Sequence, residues 1–101
     1  MTFRHVVLFR WTDDATDAQL AAVIEGFDAL PSQVPEIGVY QHGPDAGINA
    51  DSFAYGLVAD FPDEATYLGY RDHPAHRAFI TERIRPILAE RASVQYVVDR
   101  P

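Results

Sequence analysis

The 101-residue chain carries 15 acidic and 8 basic side chains, a formal charge of −7 at pH 7, and no cysteine; all the basic residues are arginine. This length predicts one domain over residues 1–101, and the acidic balance excludes nucleic acid and an anionic membrane as expected partners. Without cysteine there is neither a disulfide framework nor thiolate chemistry. The sequence has no signal-peptide pattern and no membrane span, so we expect a cytoplasmic protein, and the small core favours a homodimer.

The N-terminal segment has the pattern of a β-strand. From Thr2 to Trp11 two sets of residues alternate with the period of two that a strand requires. One set consists of Phe3, His5, Val7 and Phe9. Both sets are largely apolar, so we expect helices to cover one face of this strand and a second subunit to cover the other.

The first helix is predicted from its cap and from its apolar spacing. Thr16, followed by Gln19 three residues later, has the pattern of a capping box. Apolar residues then recur at helical spacing, at Leu20, Val23, Ile24 and Phe27. Pro31 is expected to end the helix at Leu30, because a residue before proline is pushed out of the α region.

The remaining elements complete an α+β arrangement. A loop from Gly43 to Ser52 separates two further strands, and Pro86 is expected to kink the last helix. The predicted elements are a strand at Ile37–Gly43, a strand at Phe53–Phe61, a helix from the Asp63 cap to Asp72, a helix from Pro74, and a strand at Val94–Val98. The order β-α-β-β-α-β predicts a ferredoxin-like domain with a four-stranded antiparallel sheet.

Two of the four histidines are candidates for chemistry. His5 lies in the middle of the first strand, where a site role and a buried, hydrogen-bonded core position fit equally well. His76 follows Pro74 in the first turn of a helix. It shares a face with Phe79 and Ile80, so it should point inward. The positive helix N-terminus and desolvation both disfavour the imidazolium, which keeps the ring neutral as a general base requires.

The other two histidines and two polar residues carry weaker signals. His73 is expected at the helix cap, and His42 at a strand end is expected to be an exposed or hydrogen-bonded surface residue. His73 and His76 have the i, i+3 spacing of metal ligands. They lack the glutamate of a zinc-protease helix and form an incomplete shell, so no metal site is predicted. Tyr70 lies near the helix start, and the Gln95 amide on the last strand needs a partner or a ligand.

Three short motifs together resemble one known family. They are Arg4-His5-Val6-Val7-Leu8-Phe9, Asp14-Ala15-Thr16, and His73-Pro74-Ala75-His76 followed by Phe79. Spread over nearly the whole chain, they resemble the stress-responsive A/B barrel (Dabb) domain family. The resemblance implies a ferredoxin-like monomer whose sheet packs against that of a second copy to form a dimeric α+β barrel.

The resemblance also implies a site and a class of reaction. A similar protein in this family is a plant polyketide cyclase, which closes a ring by an intramolecular aldol reaction without a cofactor. By this likeness His76 is the catalytic histidine, Tyr70 hydrogen-bonds and orients it, and His5 donates to the developing oxyanion. The implied pocket residues are Val7, Phe9, Val23, Ile24, Phe27, Tyr55 and Leu57, to which the strand pattern adds Gln95. The expected ligand is a small apolar or aromatic carbonyl compound, in aldol or lyase chemistry.

Two alternatives stay open at this point. In the first, His5, Tyr70 and His76 form a satisfied internal hydrogen-bond network in a non-catalytic binding or structural module. In the second, the chain is a cofactor-free monooxygenase of the wider dimeric barrel superfamily. The space between the sheet and the helices discriminates between an enzyme and a filled module, because ligand cavities have volumes of about 300 Å³ or more.

Overall fold

The computed structural model describes residues 1–34 and 36–99. The elements are β1 (Thr2–Trp11), α1 (Asp17–Gln33), β2 (Tyr40–Pro44), β3 (Tyr55–Phe61), α2 (Glu64–Asp72), α3 (Pro74–Phe79) and β4 (Leu88–Val98). A π-helical turn at Ile80–Ile84 and a 3-10 turn at Arg85–Ile87 join α3 to β4. The predicted β-α-β-β-α-β order is confirmed, with the second helical segment divided into α2 and α3. None of the described helices is long and apolar enough to cross a membrane.

The strands form an antiparallel sheet in the order β2-β3-β1-β4, as the ferredoxin-like prediction requires. His5, Val7 and Phe9 are buried on the face that the helices cover, which we call the helix face. On this face Gln95 of β4 pairs with His5, and Arg91 pairs with Phe9. Two polar residues of β4 therefore lie in the same layer as His5.

Helix α1 continues beyond its predicted stop. It runs through Pro31 to Gln33, so the predicted end before the proline is wrong. Pro31 has no N–H to bond the Phe27 carbonyl four residues earlier. The Tyr40 hydroxyl donates to that carbonyl instead, at 2.8 Å. A tertiary hydrogen bond thus replaces the missing helical one.

The strand boundaries also differ from the sequence pattern. β2 and β3 begin slightly later than predicted, at Tyr40 and Tyr55. The largest difference is in β4, which begins at Leu88 rather than at Val94. The residues after Leu88 read Ala-Glu-Arg-Ala, a helix-forming composition, but pairing with β1 up to Trp11 overrides this local preference.

Side-chain caps fix the helix starts that position the candidate residues. The capping box of Thr16 and Gln19 is confirmed, with both reciprocal hydrogen bonds formed. His73 is the N-cap of α3, and its Nδ1 accepts the Ala75 N–H at 3.1 Å, as predicted for a capping histidine. Beyond α3 the helix changes to the π and 3-10 turns that precede and contain Pro86, where the kink was predicted.

The opposite face of the sheet, which we call the open face, has no helix packed on it within the described residues. Leu8, Val94 and Tyr96 are exposed there by 37%, 53% and 45%. Beside them, Arg4 makes a bidentate ion pair with Asp60 at 2.7 and 2.8 Å. Arg10, on the same face, contacts Glu90 at 3.0 Å, so the open face combines an apolar patch with two internal ion pairs.

Candidate active site

Three residues singled out in the sequence lie around a small void between the sheet and the helices. The void has a volume of about 20 Å³ and is lined by His5, Tyr70 and His76. The Tyr70 and His76 ring centroids are 4.3 Å apart, and those of His5 and Tyr70 are 6.3 Å apart. The other lining residues include four of the expected pocket residues, Val7, Phe9, Phe27 and Leu57.

His5 is buried and hydrogen-bonded to Gln95. The ring is 4% exposed, and the Gln95 amide nitrogen is 2.9 Å from His5 Nδ1. In this orientation of the Gln95 amide its N–H donates, so Nδ1 accepts and the proton of the neutral ring is on Nε2. Burial, assisted by the positive charge of Arg91, lowers the pKa of His5 to about 4. At neutral pH His5 is therefore an Nε2–H donor.

His76 has the complementary arrangement. Its Nδ1 lies 3.1 Å from the carbonyl oxygen of Arg71. A carbonyl can only accept, so Nδ1–H donates and the lone pair of the ring is on Nε2. Burial lowers the pKa of His76, while the Arg71 carbonyl opposes this change. The ring is a neutral base with a fixed tautomer, and burial is the main cause of its neutrality.

Tyr70 contacts His76 in a different way from the one expected. The two rings are in contact, but no hydrogen bond joins the Tyr70 hydroxyl to His76 among the described residues. The Arg71 carbonyl makes the orienting hydrogen bond that the family resemblance implied for Tyr70. Burial raises the pKa of the Tyr70 hydroxyl, so the phenol remains protonated.

His76 also lines a surface cleft of about 310 Å³, which adjoins the void. Phe9, His76, Ile80, Ile84 and Arg91 line both spaces. The residues that line the cleft but not the void are Arg71, Arg77, Thr81, Arg85 and Leu88. The space between the sheet and the helices accommodates only a group the size of a water molecule, so the apolar pocket expected there is filled by side chains, as in the non-catalytic alternative. The only space of ligand size beside His76 in the described residues is the surface cleft, whose volume is at the lower limit for ligand sites.

Three expected pocket residues lie elsewhere. Val23, Ile24 and Tyr55 line a separate apolar groove of about 290 Å³ with Trp11 and Leu20. They line neither the void nor the cleft. Gln95, the remaining expected pocket residue, also lines neither space, because its amide is hydrogen-bonded to His5. Ile24 is 40% exposed on α1, because the helix turns this position away from the sheet.

His42 is less exposed than a surface histidine, and both of its ring nitrogens contact other side chains. Its Nδ1 is 2.6 Å from the Tyr55 hydroxyl, and its Nε2 is 2.8 Å from a carboxylate oxygen of Asp28. The carboxylate only accepts, so Nε2–H donates to Asp28 and, in the neutral ring, Nδ1 accepts the Tyr55 hydroxyl proton. The His42 side chain is 13% exposed. The prediction of hydrogen bonding is confirmed, and both ring nitrogens are occupied.

The sequence reasoning missed Arg91. This residue lies on the helix face of β4 and lines both the void and the cleft. Its signal was its spacing, because Arg91 and Gln95 are four residues apart and share a face of a strand. This spacing indicates a shared strand face only if β4 begins at Leu88, six residues before the predicted start at Val94.

The described residues contain no group of three or more His, Cys, Asp or Glu side chains placed to hold a metal ion. His73 Nδ1 accepts the Ala75 N–H, so a neutral His73 ring carries its proton on Nε2, whereas the neutral His76 ring has its lone pair on Nε2. The arrangement of His5 and His76 instead supplies one proton donor and one proton acceptor beside a cleft.

Comparisons with known proteins agree with this fold. The family model "Stress responsive A/B Barrel Domain" (Dabb) matches residues 3–98. A stress-response A/B barrel domain-containing protein of Arabidopsis thaliana is 24% identical over 96 residues, which cover 95% of this chain and 36% of that protein. The chain thus spans about a third of the length of this curated relative.

Two solved structures superimpose over nearly the whole chain. A dimeric ferredoxin-like protein of unknown function from Thermobifida fusca is 40% identical, with a TM-score of 0.88 and coverage of 97% of this chain and 92% of that one. A hydroxynitrile lyase from Passiflora edulis is 22% identical, with a TM-score of 0.86 and coverage of 99% and 95%. The chain belongs to the stress-responsive A/B barrel domain family.

Proposed function

We propose that this protein is a homodimeric enzyme that uses general acid-base catalysis, without a cofactor, on a small carbonyl compound. The reaction class is aldol cyclisation or a lyase-type cleavage beside a carbonyl or hydroxyl group. The observation that carries the proposal is the fixed tautomer of His76, whose basic Nε2 belongs to a ring lining the cleft. A base is useful only where a substrate can reach it.

The two spaces suggest how a substrate is held. The body of the substrate occupies the cleft, and its carbonyl oxygen extends into the void between His76 and His5. His76 Nε2 removes a proton from the carbon next to the carbonyl, and the C–H electron pair forms the enolate. His5 Nε2–H donates to the oxygen as negative charge develops there. In the cyclisation the enolate carbon then bonds to a second carbonyl carbon of the same molecule, and the proton on His76 passes to the alkoxide formed there.

The lyase alternative uses the same groups. In a hydroxynitrile, removal of the hydroxyl proton by a base releases cyanide and leaves a carbonyl compound. The Passiflora edulis lyase has the same fold, and its low identity supports the fold alone. Both reaction types need a base, which removes a proton from carbon in the aldol reaction and from oxygen in the cleavage. The experiment below tests removal from carbon, the step of the aldol reaction.

The experiment is α-proton exchange of 4-acetylbenzoate in D₂O, followed by loss of its methyl signal in proton NMR spectra. The wild-type protein should accelerate the exchange. His76→Gln should reduce it by at least about a hundredfold, the lower range of general base catalysis. His73→Asn is the matched control, because it removes the neighbouring histidine and keeps a helix cap. Absence of exchange in the wild type, or equal rates in His76→Gln, contradicts the proposal.

The homodimer is proposed from the open face. Its apolar patch contains Leu8, Val94 and Tyr96, and the Thermobifida fusca protein is dimeric. Leu8→Glu places a charge in the patch and should convert the dimer to a monomer in analytical ultracentrifugation. Ile24→Glu is the matched control, since Ile24 is 40% exposed but lies on α1. A dimeric Leu8→Glu variant, or a monomeric wild type, contradicts this assignment.

A non-catalytic binding module is the second candidate. The observation in its favour is the small size of the void, together with a His5 ring nitrogen that is already satisfied by Gln95. Such a module would bind 4-acetylbenzoate and fail to exchange its protons. The exchange measurement therefore separates the two candidates.

A further inference from the structure

The cleft beside His76 has a local charge opposite to that of the whole protein. The chain contains 15 acidic and 8 basic residues. The described lining of the cleft includes four arginines and no acidic residue. The four are Arg71, Arg77, Arg85 and Arg91. Half of the arginines of the chain thus lie around one cleft.

Internal ion pairs neutralise only part of this charge. Arg71 contacts Asp72 with two hydrogen bonds of 3.0 and 3.2 Å, and Arg77 approaches the same carboxylate at 3.7 Å. One carboxylate therefore serves two guanidinium groups. Arg85 and Arg91 make no ion pair with any carboxylate of residues 1–34 and 36–99.

Arg91 is the arginine nearest to the candidate chemistry. It lies on the helix face of β4 and lines both the cleft and the void. Its guanidinium is hydrogen-bonded to the Ser93 hydroxyl at 3.3 Å, which uses one of its five N–H groups. Its charge contributes to the lowered pKa of both His5 and His76. Arg91 therefore acts electrostatically on the same space that a substrate would enter.

We infer that the cleft binds an organic carboxylate, whose charge is held by Arg91 and whose apolar body packs against Phe9, Ile80 and Ile84. A guanidinium binds a carboxylate with two parallel hydrogen bonds, and the adjoining apolar side chains exclude water from them. The inference rests on the proposed function in one respect, because it makes this carboxylate part of the substrate on which His76 acts.

The test compares the binding of 4-acetylbenzoate and its neutral analogue 4-acetylbenzamide by isothermal titration calorimetry. The wild type should bind the carboxylate about tenfold more tightly than the amide. Arg91→Gln should abolish most of this preference, and Arg91→Lys should retain part of it because the charge remains without the planar fork. Arg83→Gln is the matched control, since Arg83 lies outside the cleft and contacts Glu25 at 3.8 Å.

Two further measurements define the ligand. Raising the salt concentration from about 50 mM to about 500 mM should weaken the carboxylate complex and leave the amide complex unchanged. Inorganic phosphate should bind at least about tenfold more weakly than 4-acetylbenzoate, because it cannot use the apolar wall. Equal affinities for carboxylate and amide, an unchanged preference in Arg91→Gln, or phosphate binding as tight as that of 4-acetylbenzoate would overturn the inference.

The outcome is separable from that of the proposed function. His76→Gln should keep the preference for the carboxylate, because Arg91 is untouched. A protein that prefers the carboxylate and does not exchange its α-protons supports the carboxylate site and contradicts the proposed enzyme. A protein that exchanges the protons of both compounds and binds them equally supports the enzyme and contradicts the carboxylate site.

Discussion

His42 and His76 are both partly buried beside a tyrosine ring, yet their ring nitrogens have different partners. Both nitrogens of His42 are occupied, one by Asp28 and the other by Tyr55. In His76 one nitrogen is bound to the Arg71 carbonyl, and the ring lines an open cleft. Saturation of the hydrogen-bonding groups therefore distinguishes a structural histidine from a candidate base, whereas burial and aromatic neighbours do not.

The largest expected effect is on activity at His76. His76→Gln should reduce α-proton exchange by at least about a hundredfold. Its free energy of unfolding should change by less than about 1 kcal/mol, because the side chain is only partly buried and a single backbone hydrogen bond is lost. Exchange NMR and urea denaturation measure the two quantities. A large loss of stability with unchanged exchange would make His76 a structural residue like His42.

His42→Leu should have the reverse effect. It leaves the largely buried Tyr55 hydroxyl without its acceptor, so the free energy of unfolding should fall by about 2 kcal/mol. The exchange rate should change less than about threefold, since His42 lines neither the cleft nor the void. Asp28→Asn is the control on the exposed side of the same histidine and should lower the stability by less than about 1 kcal/mol. If exchange falls in His42→Leu as far as in His76→Gln, the distinction fails.

A smaller effect is expected at the hydroxyl that His42 binds. Tyr55→Phe removes one hydrogen bond and keeps the ring packing, so urea denaturation should show a loss of about 1 kcal/mol. Combined with His42→Leu, the double variant should be less destabilised than the sum of the two single variants, since the same hydrogen bond is removed in each. Additive losses would show that Tyr55 and His42 act independently.

The histidines also show which features of the candidate site can be predicted from the sequence and which cannot. His5 and His76 were identified because their signals are local: one lies in an alternating strand and the other follows a proline at a helix start. The partners of His42 lie on α1 and β3, and no local sequence pattern predicts contacts between such distant residues. The tautomer of His76 likewise depends on a backbone carbonyl, a group that every residue has.

The fold shows the same division. The alternation of β1 and the Thr16 capping box depend on neighbouring residues, and both were predicted. The passage of α1 through Pro31 depends on the hydroxyl of Tyr40, and the early start of β4 depends on pairing with β1. Tertiary contacts override local preference at these points. Arg91 was missed for this reason, because it lies in the part of β4 whose composition favours a helix.

The smallest expected effect concerns the pH dependence of His76. Burial disfavours the charged imidazolium, so the pKa of His76 lies below that of an ordinary histidine, about 6.5. For a base with an unperturbed pKa, the neutral fraction at a pH of about 6.0 is about fourfold smaller than at high pH. The exchange rate at this pH should therefore fall by less than about fourfold from its plateau, because a lowered pKa leaves a larger neutral fraction of His76 than an ordinary histidine would have. Exchange rates measured across the acidic pH range give the apparent pKa of the base directly. An apparent pKa at or above that of an ordinary histidine would mean that the base is better solvated than the structure indicates, or that a different group removes the proton.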